Sequence, residues 1–485
     1  MMIKIDVNSG KRDLNRVWSM GFNTCHAPLL LRSDMRAHLK MGAEIGFKYV
    51  RFHDIFCDEI GIYKIDERGI PRYNFEKFDE IFDTILSSGL LPFFELSFCP
   101  SALKSSDSTL CFYKANTSMP KSLALWKELI RTVTAHCVDR YGEECVKEWY
   151  FEVWNEPDLP FFEPRSTAEY FKLYDAAAEG IKSVSEKLRV GGPATSKCAW
   201  IDEFIGHICA KDNPEKFCNF ISAHAYPSDL PFLNSAEGKV NLQNSGIMKA
   251  LFFDVRKKMN NAGLDKIPLF MGEWNSSAGP YAFNHDEMNN GAFIVKTLAE
   301  LEPIIDGMLY WNLTDIYEEG GFHYTPFHGG YGMINVNSVP KSSYNAFRLL
   351  NKMLGKKLKY NAADIPQGCG LIASADDKKI YILLYNYVEP GTKGKLWNCK
   401  ISAEISFKAV RYKSYGINSQ TGSAYEWWKQ MGAPEFITQS ELSLLLDKSK
   451  LLTEQKLIIN KNGGIVSDEN VEPGAVKLLE LSVCE

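Results

Sequence analysis

Two short segments carry the residue types that acid–base chemistry needs. One reads Val153-Trp154-Asn155-Glu156-Pro157-Asp158 and the other Met271-Gly272-Glu273-Trp274-Asn275-Ser276, so each places a glutamate beside tryptophan and asparagine. Cleaving an acetal requires a carboxylic acid to protonate the leaving oxygen and a carboxylate to meet the oxocarbenium-like carbon. The two must hold different charge states at one pH. Glu156 is expected to be the acid, kept protonated by partial burial and by the negative charge of Glu273, which stays ionised through hydrogen bonds from its neighbours. The 273 − 156 = 117 residues between them require a fold that returns the chain to one cleft.

The elements around these segments supply such a fold. From about residue 15 to 345, short runs rich in β-branched and aromatic residues alternate with longer stretches of helical spacing, the pattern of repeated βα units. The runs are Met20 to Cys25, Lys48 to His53, Leu91 to Phe98, Trp149 to Trp154, Arg189 to Thr195, Phe220 to Ala225, Pro268 to Glu273 and Gly307 to Trp311. Met35 to Ile45, Asn74 to Ser87, Leu123 to Cys137 and Thr167 to Lys187 read as helices between them. Eight such units predict an α/β fold, a (β/α)8 TIM barrel, in which reacting groups collect at the C-terminal ends of the strands. The two glutamates end the fourth and seventh runs, which face one another across a barrel. An open doubly wound sheet is disfavoured because no GxGxxG turn follows the first strand.

After about Phe347 the texture changes to short alternating runs, Lys379 to Tyr387, Lys400 to Lys413 and Ala475 to Val483, with turn residues at Glu389-Pro390-Gly391 and Lys461-Asn462-Gly463-Gly464. This predicts an accessory C-terminal β-sandwich, with a helix over Glu435 to Lys450. The alternation Ile3-Lys4-Ile5-Asp6-Val7 has the same period. The expected division is therefore 1–14 as a strand joining the sandwich, 15–347 as the catalytic barrel and 348–485 as the accessory domain.

Trp154-Asn155-Glu156-Pro157 resembles the acid/base motif of retaining glycoside hydrolases with catalytic glutamates on strands four and seven. More specific are Arg51-Phe52-His53 with Ile55-Phe56-Cys57-Asp58-Glu59, then Phe112-Tyr113-Lys114-Ala115-Asn116, His224-Ala225-Tyr226-Pro227 and Pro326-Phe327-His328-Gly329-Gly330. In this order they resemble glycoside hydrolase family 39, known for β-xylosidases and α-L-iduronidases, from about Val17 to Phe347. The resemblance implies Glu156 as general acid/base and Glu273 as nucleophile of a retaining exo-glycosidase acting by double displacement, most simply a β-xylosidase on short xylo-oligosaccharides. It implies that Asn155 bonds the sugar 2-hydroxyl, that Tyr226 donates to Glu273, and that His224 contacts the substrate or this network. His53 and Phe112 would line the sugar subsite, and Trp311 would offer it an aromatic face. Either Glu318 or Glu319 would bind distal hydroxyls. The alternatives are another glycone, a hexoside, arabinoside or uronide, and a carbohydrate-binding protein without turnover.

Composition narrows the partners. The 485 residues carry a net charge of −5, which provides no polybasic field for nucleic acid or an anionic membrane. No apolar run approaches the ~18 residues of a membrane span, and MMIKIDVNSG lacks the marks of a secretion signal. A cytoplasmic protein is therefore expected, its twelve cysteines reduced, and no CxxC pair suggests zinc or thioredoxin chemistry. No cofactor and no catalytic metal are expected. His323 and His328 are five apart, without HExxH or a third ligand. Ser276 and Ser277 lack the GxSxG elbow of a serine hydrolase. Asp54 is expected to make a structural hydrogen bond, and a homo-oligomer, a tetramer in the family, is open.

Overall fold

A computed structural model of the chain describes residues 2–228, 244–323, 325–404, 409–459 and 464–483. Eight parallel strands close into a barrel: Gly21–His26, Tyr49–His53, Leu91–Leu96, Tyr150–Val153, Arg189–Thr195, Phe220–His224, Leu269–Trp274 and Gly307–Tyr310. Closure is made where Leu309 and Tyr310 pair with Gly21 and Phe22. Helices cover the outside, so nearly every strand position is buried, and this is why the strands read as continuous apolar runs. In the helix Glu76–Ser87, for example, Phe78, Ile81, Phe82 and Ile85 form the buried stripe at three- and four-residue spacing.

The barrel interior is stacked in layers, as the inward period of two requires. Its floor is an apolar plug of Met20, Tyr49, Phe93, Phe220, Phe270 and Leu309, with Tyr150 packed against it. Two residues further along their strands come Arg51, Glu95, Glu152 and Ser222, a polar layer fully removed from solvent. Above this, at the C-terminal mouth, lie His53, His224 and Glu273. A register shift between Ala223 and His224 sets His224 opposite Glu273. Gly272 makes room for this arrangement, since a side-chain carbon there would sit 3.1 Å from His224 Nε2.

Two further sheets enclose a second apolar cluster that includes Ile3, Ile5, Ile382, Leu384, Ile401 and Leu479. The smaller runs Lys359–Ala362, Met2–Asp6, Trp397–Glu404, Gly464–Val471, and the strand Met2–Asp6 pairs on both sides within it. The larger contains Cys369–Ala375, Lys379–Asn386, Val476–Val483, Ala409–Ile417 and the edge strand Leu452–Ile459. The run expected from Lys400 to Lys413 is corrected to two strands in different sheets. The buried positions change from odd (Cys399, Ile401, Ala403) to even (Val410, Tyr412), so one continuous strand could not bury both sets. The expected helix over Glu435 to Lys450 is confined to Gln439–Lys448, where Thr438 and Glu441 form a capping box. The turn predicted at Lys461-Asn462-Gly463-Gly464 lies outside the described residues, apart from the backbone of Gly464. Asn289 joins the two parts by accepting from Val388 N (3.0 Å) and donating to Val388 O (2.9 Å).

Candidate active site

At the C-terminal mouth of the barrel lies a half-open cleft. Its lining includes Glu156, Glu273, Asn155, His53, His224 and Tyr226, together with Trp311 and Glu319. The loop leaving the fourth strand is forced into shape. Trp154 and Glu156 both adopt left-handed backbone, with φ of 71° and 42°, a conformation costing of order 1–3 kcal/mol per residue and met chiefly at functional sites. A hydrogen bond from Glu156 N to Ala194 O (2.9 Å) ties that loop to the fifth strand.

Glu156, Glu273 and His224 converge closely enough that one carboxylate oxygen from each glutamate and a ring nitrogen all lie within 4.8 Å of one another. That gap is shorter than the ~6.5 Å at which inverting pairs begin, the room they need for a water, and suits direct attack. The two carboxyl groups sit in opposite surroundings. Glu273 Oε1 accepts from Arg51 Nη1 at 2.7 Å and has His53 Nε2 at 3.5 Å, while Oε2 accepts from the Tyr226 hydroxyl at 3.0 Å. Burial pushes the Glu273 carboxyl up, but the N–H that His224 turns toward it, together with Arg51 and His53, outweighs burial and holds it below its ordinary value. For Glu156, burial and then the charges of Glu273 and Asp158 all act upward, and its carboxyl rises well above the usual range.

His224 lies between them, with Nδ1 3.0 Å from Glu156 Oε1 and 3.6 Å from Glu273 Oε2. Its other nitrogen, Nε2, is buried with no hydrogen-bond partner among the described residues. The neutral ring protonated at Nδ1 satisfies both facts, and burial accordingly pushes His224 below its ordinary value. The permanent cation beside Glu273 is therefore Arg51.

Asn155 Oδ1 accepts from Arg51 Nη2 at 3.0 Å, which leaves its amide N–H groups toward the cleft. Trp311 is buried, its ring centroid 5.0 Å from that of His53. Of the two loop acids, Glu319 lines the cleft, whereas Glu318 turns away and lies 3.4 Å from His26 Nδ1. Phe112 does not line the cleft. Its ring is 56% exposed and leans on Phe322 at the rim, while Cys111 and Tyr113 on either side of it reach inward. Left-handed backbone at Cys111 and Lys114 shapes this loop.

The match to known sequences settles the lineage. The family model for glycosyl hydrolases family 39 matches residues 1–465. The chain belongs to glycosyl hydrolases family 39. This family 39 glycoside hydrolase is 36% identical to the β-xylosidase of Caldicellulosiruptor saccharolyticus over 98% of its own length and 97% of the relative's. It is 34% identical to the β-xylosidase of Geobacillus stearothermophilus, over 93% and 90% of the two chains. Among solved structures, a monomeric β-xylosidase from Caulobacter crescentus CB15 superposes with a TM-score of 0.92 at 31% identity, with all of both chains covered.

Three residues of the family 39 enzyme complete the site without having been assigned a role from sequence. Arg51, in the second strand, donates Nε to Glu152 Oε2 (2.6 Å) and places Nη2 2.7 Å from Glu95 Oε2 while reaching Glu273 and Asn155. Glu152 is further bound by the Ser222 hydroxyl (2.5 Å) and Glu95 by that of Ser97. The signal was available: a charged residue inside an apolar strand, as in Tyr49-Val50-Arg51-Phe52-His53, must find a buried partner.

Other candidates take structural places. Asp54 Oδ1 accepts from Phe98 N at 3.2 Å. Ser276 Oγ accepts from Asn284 Nδ2, and Ser277 Oγ from Gly279 N. His323 and His328 stack face to face at 3.9 Å, both pushed down by burial, to about 3 and about 4. Metal-capable side chains gather in threes at His26, Asp54 and Cys57 and at the carboxylate pair with His224. No helix among the described residues is long and apolar enough to cross a membrane.

Proposed function

We propose that this family 39 glycoside hydrolase is an exo-acting β-xylosidase that removes single xylose units from the non-reducing ends of short xylo-oligosaccharides. Glu273 attacks C1 as the C1–O bond to the aglycone breaks, and Glu156 gives its proton to the departing oxygen. A water then attacks C1 of the glycosyl-enzyme, Glu156 takes its proton, and the bond to Glu273 breaks to release xylose with retained configuration. The observation that carries this reading is the pair of carboxylates within 4.8 Å, one pushed up and one held down.

In this reading Asn155 donates to the sugar 2-hydroxyl, and that bond tightens as the ring flattens. Tyr226 holds Glu273 in line, and His224 steadies Glu156. His53, Trp311 and Glu319 hold the glycone. Residues 15–347 form the catalytic unit, with 1–14 and 348–485 as the accessory one.

A neutral glycone is supported by the charge of the cleft, and a pentose by the two β-xylosidase relatives. A uronate would require a free buried cation. Lys197 is the one lysine or arginine among the described lining residues, and it is exposed, while Arg51 is committed to Glu95, Glu152 and Glu273. Rates on a panel of nitrophenyl glycosides, with products identified, test the glycone. The β-xyloside is expected to lead, and a preference for a hexoside, arabinoside or uronide would overturn the choice.

A further inference from the structure

Glu95 has no place in the chemistry of the two carboxylates, yet it is fully buried one layer beneath them, in the third strand. Its Oε2 lies 2.7 Å from His53 Nδ1 and 2.7 Å from Arg51 Nη2. We propose that Glu95 is a positioning residue that keeps His53 doubly protonated, so that the imidazolium presents an Nε2–H donor to Glu273 and the glycone. This rests on the reading of Glu273 as nucleophile.

The geometry leaves little choice of tautomer. A carboxylate only accepts, so the short contact to Glu95 fixes a proton on Nδ1. On the opposite edge, Nε2 is 3.5 Å from Glu273 Oε1. A bare lone pair there would face an anion, whereas a proton would face an attractive one. The ring is held by Trp311 (5.0 Å between centroids) and Phe98 (6.1 Å), so it cannot turn away.

The charge balance agrees. Arg51 alone contacts three acids, Glu95, Glu152 and Glu273, all buried. One cation against three anions leaves an excess of two, and protonating His53 reduces it to one, a strong incentive in a medium of low dielectric. Arg51 opposes the charge on His53, while Glu273 favours it. Asp54, Glu156 and Glu319 also lie within electrostatic reach: Glu156 is pushed well above the usual carboxylate range, and burial raises Asp54 to about 6 and Glu319 to about 7. Burial lowers His53, but Glu95 and then Glu273 act against it, and the imidazole stands above its ordinary value.

The test joins nitrogen NMR with kinetics. In the full-length enzyme labelled with 15N-histidine, with His53 assigned from a His53→Asn variant, both ring nitrogens are expected to be protonated at pH 7. Glu95→Gln preserves the shape but removes the charge, and Nε2 should lose its proton at neutral pH. The same variant should lower kcat/KM about 10- to 100-fold at pH 7, the scale of one charge-assisted hydrogen bond. Its alkaline limb, set by Glu156 in the wild type, should move down by about one pH unit or more as loss of the His53 proton becomes limiting. In the His53→Asn background, Glu95→Gln should shift the limb no further. A bare Nε2 in the wild-type enzyme at pH 7, or a uniform loss in Glu95→Gln with an unmoved profile, would overturn the proposal. The wild-type spectrum decides even if Glu95→Gln does not fold. Because it needs no turnover, it is independent of whether Glu273 is the nucleophile, which covalent trapping decides separately.

Discussion

Glu156 and Glu273 bring carboxylate oxygens within 4.8 Å of one another at the ends of facing strands, yet only Glu273 is touched by a guanidinium. Two like charges that close cannot both persist in a buried cleft, so the proton goes to the partner without the cation. The division of labour between acid and nucleophile follows from where Arg51 points.

Removing each carboxylate should therefore fail in a different way. Glu273→Ala is expected to abolish turnover of every glycoside. Glu156→Ala should still be glycosylated by substrates with activated phenol leaving groups, and azide should restore its turnover, giving a glycosyl azide. With poor leaving groups the loss should be about 10²- to 10⁴-fold, the usual contribution of a general acid. Exchange of these two patterns would exchange the roles.

The pH profile follows from the same asymmetry. Glu273 must be ionised, and its carboxyl is held below the ordinary value, so the acid limb of kcat/KM should lie below that of an unperturbed glutamate. Glu156 must be protonated, and its carboxyl is pushed well up, so activity should persist through neutrality and fall only on the alkaline side. Steady-state rates on one aryl glycoside across the pH range check both limbs. An alkaline limb near the ordinary glutamate value would contradict the raised proton affinity of Glu156.

Arg51→Met should cost both stability and activity. It leaves Glu95, Glu152 and Glu273 without their shared cation, and breaking a buried pair by removing one partner costs about 3–5 kcal/mol. Denaturant unfolding measures that loss. In protein that remains folded, the acid limb should move to higher pH because Glu273 has lost its permanent positive neighbour.

Glu319 links stability to pH in the opposite sense to a salt-bridged acid. Burial raises its carboxyl to about 7, so between the unfolded glutamate value and about 7 the folded state holds a proton that the unfolded chain has lost. Stability from this group is present at low pH and disappears as pH rises through that window. Glu319→Gln should thus raise the melting temperature relative to wild type at pH 8 and leave it unchanged near pH 4. An equal effect at both values would mean that Glu319 is not titrating in this range.

Much of this was legible in the residues themselves. Glu156 and Glu273 could be placed at strand ends because aromatic and β-branched runs precede them, and the eight runs match the barrel strands to within two residues at every end. The polar layer was harder to see. Arg51, Glu95 and Glu152 each stand alone in an apolar strand, and nothing local says that three strands aim them at one point; only the closed barrel does. Glu318 and Glu319 are adjacent and chemically equal, so the choice between them depends on loop backbone, where sequence period carries no information. Phe112 illustrates the same limit, because the left-handed residues beside it decide which ring of the loop faces the cleft.

The central claim is that Glu273, and not Glu156, forms the bond to the sugar. Incubation with a 2-deoxy-2-fluoro xyloside bearing an activated leaving group, followed by digestion and mass spectrometry, tests it directly. The added glycosyl mass is predicted on the peptide containing Glu273. Its appearance on the peptide containing Glu156, or an enzyme that turns over the parent xyloside yet accumulates no adduct, would contradict the account.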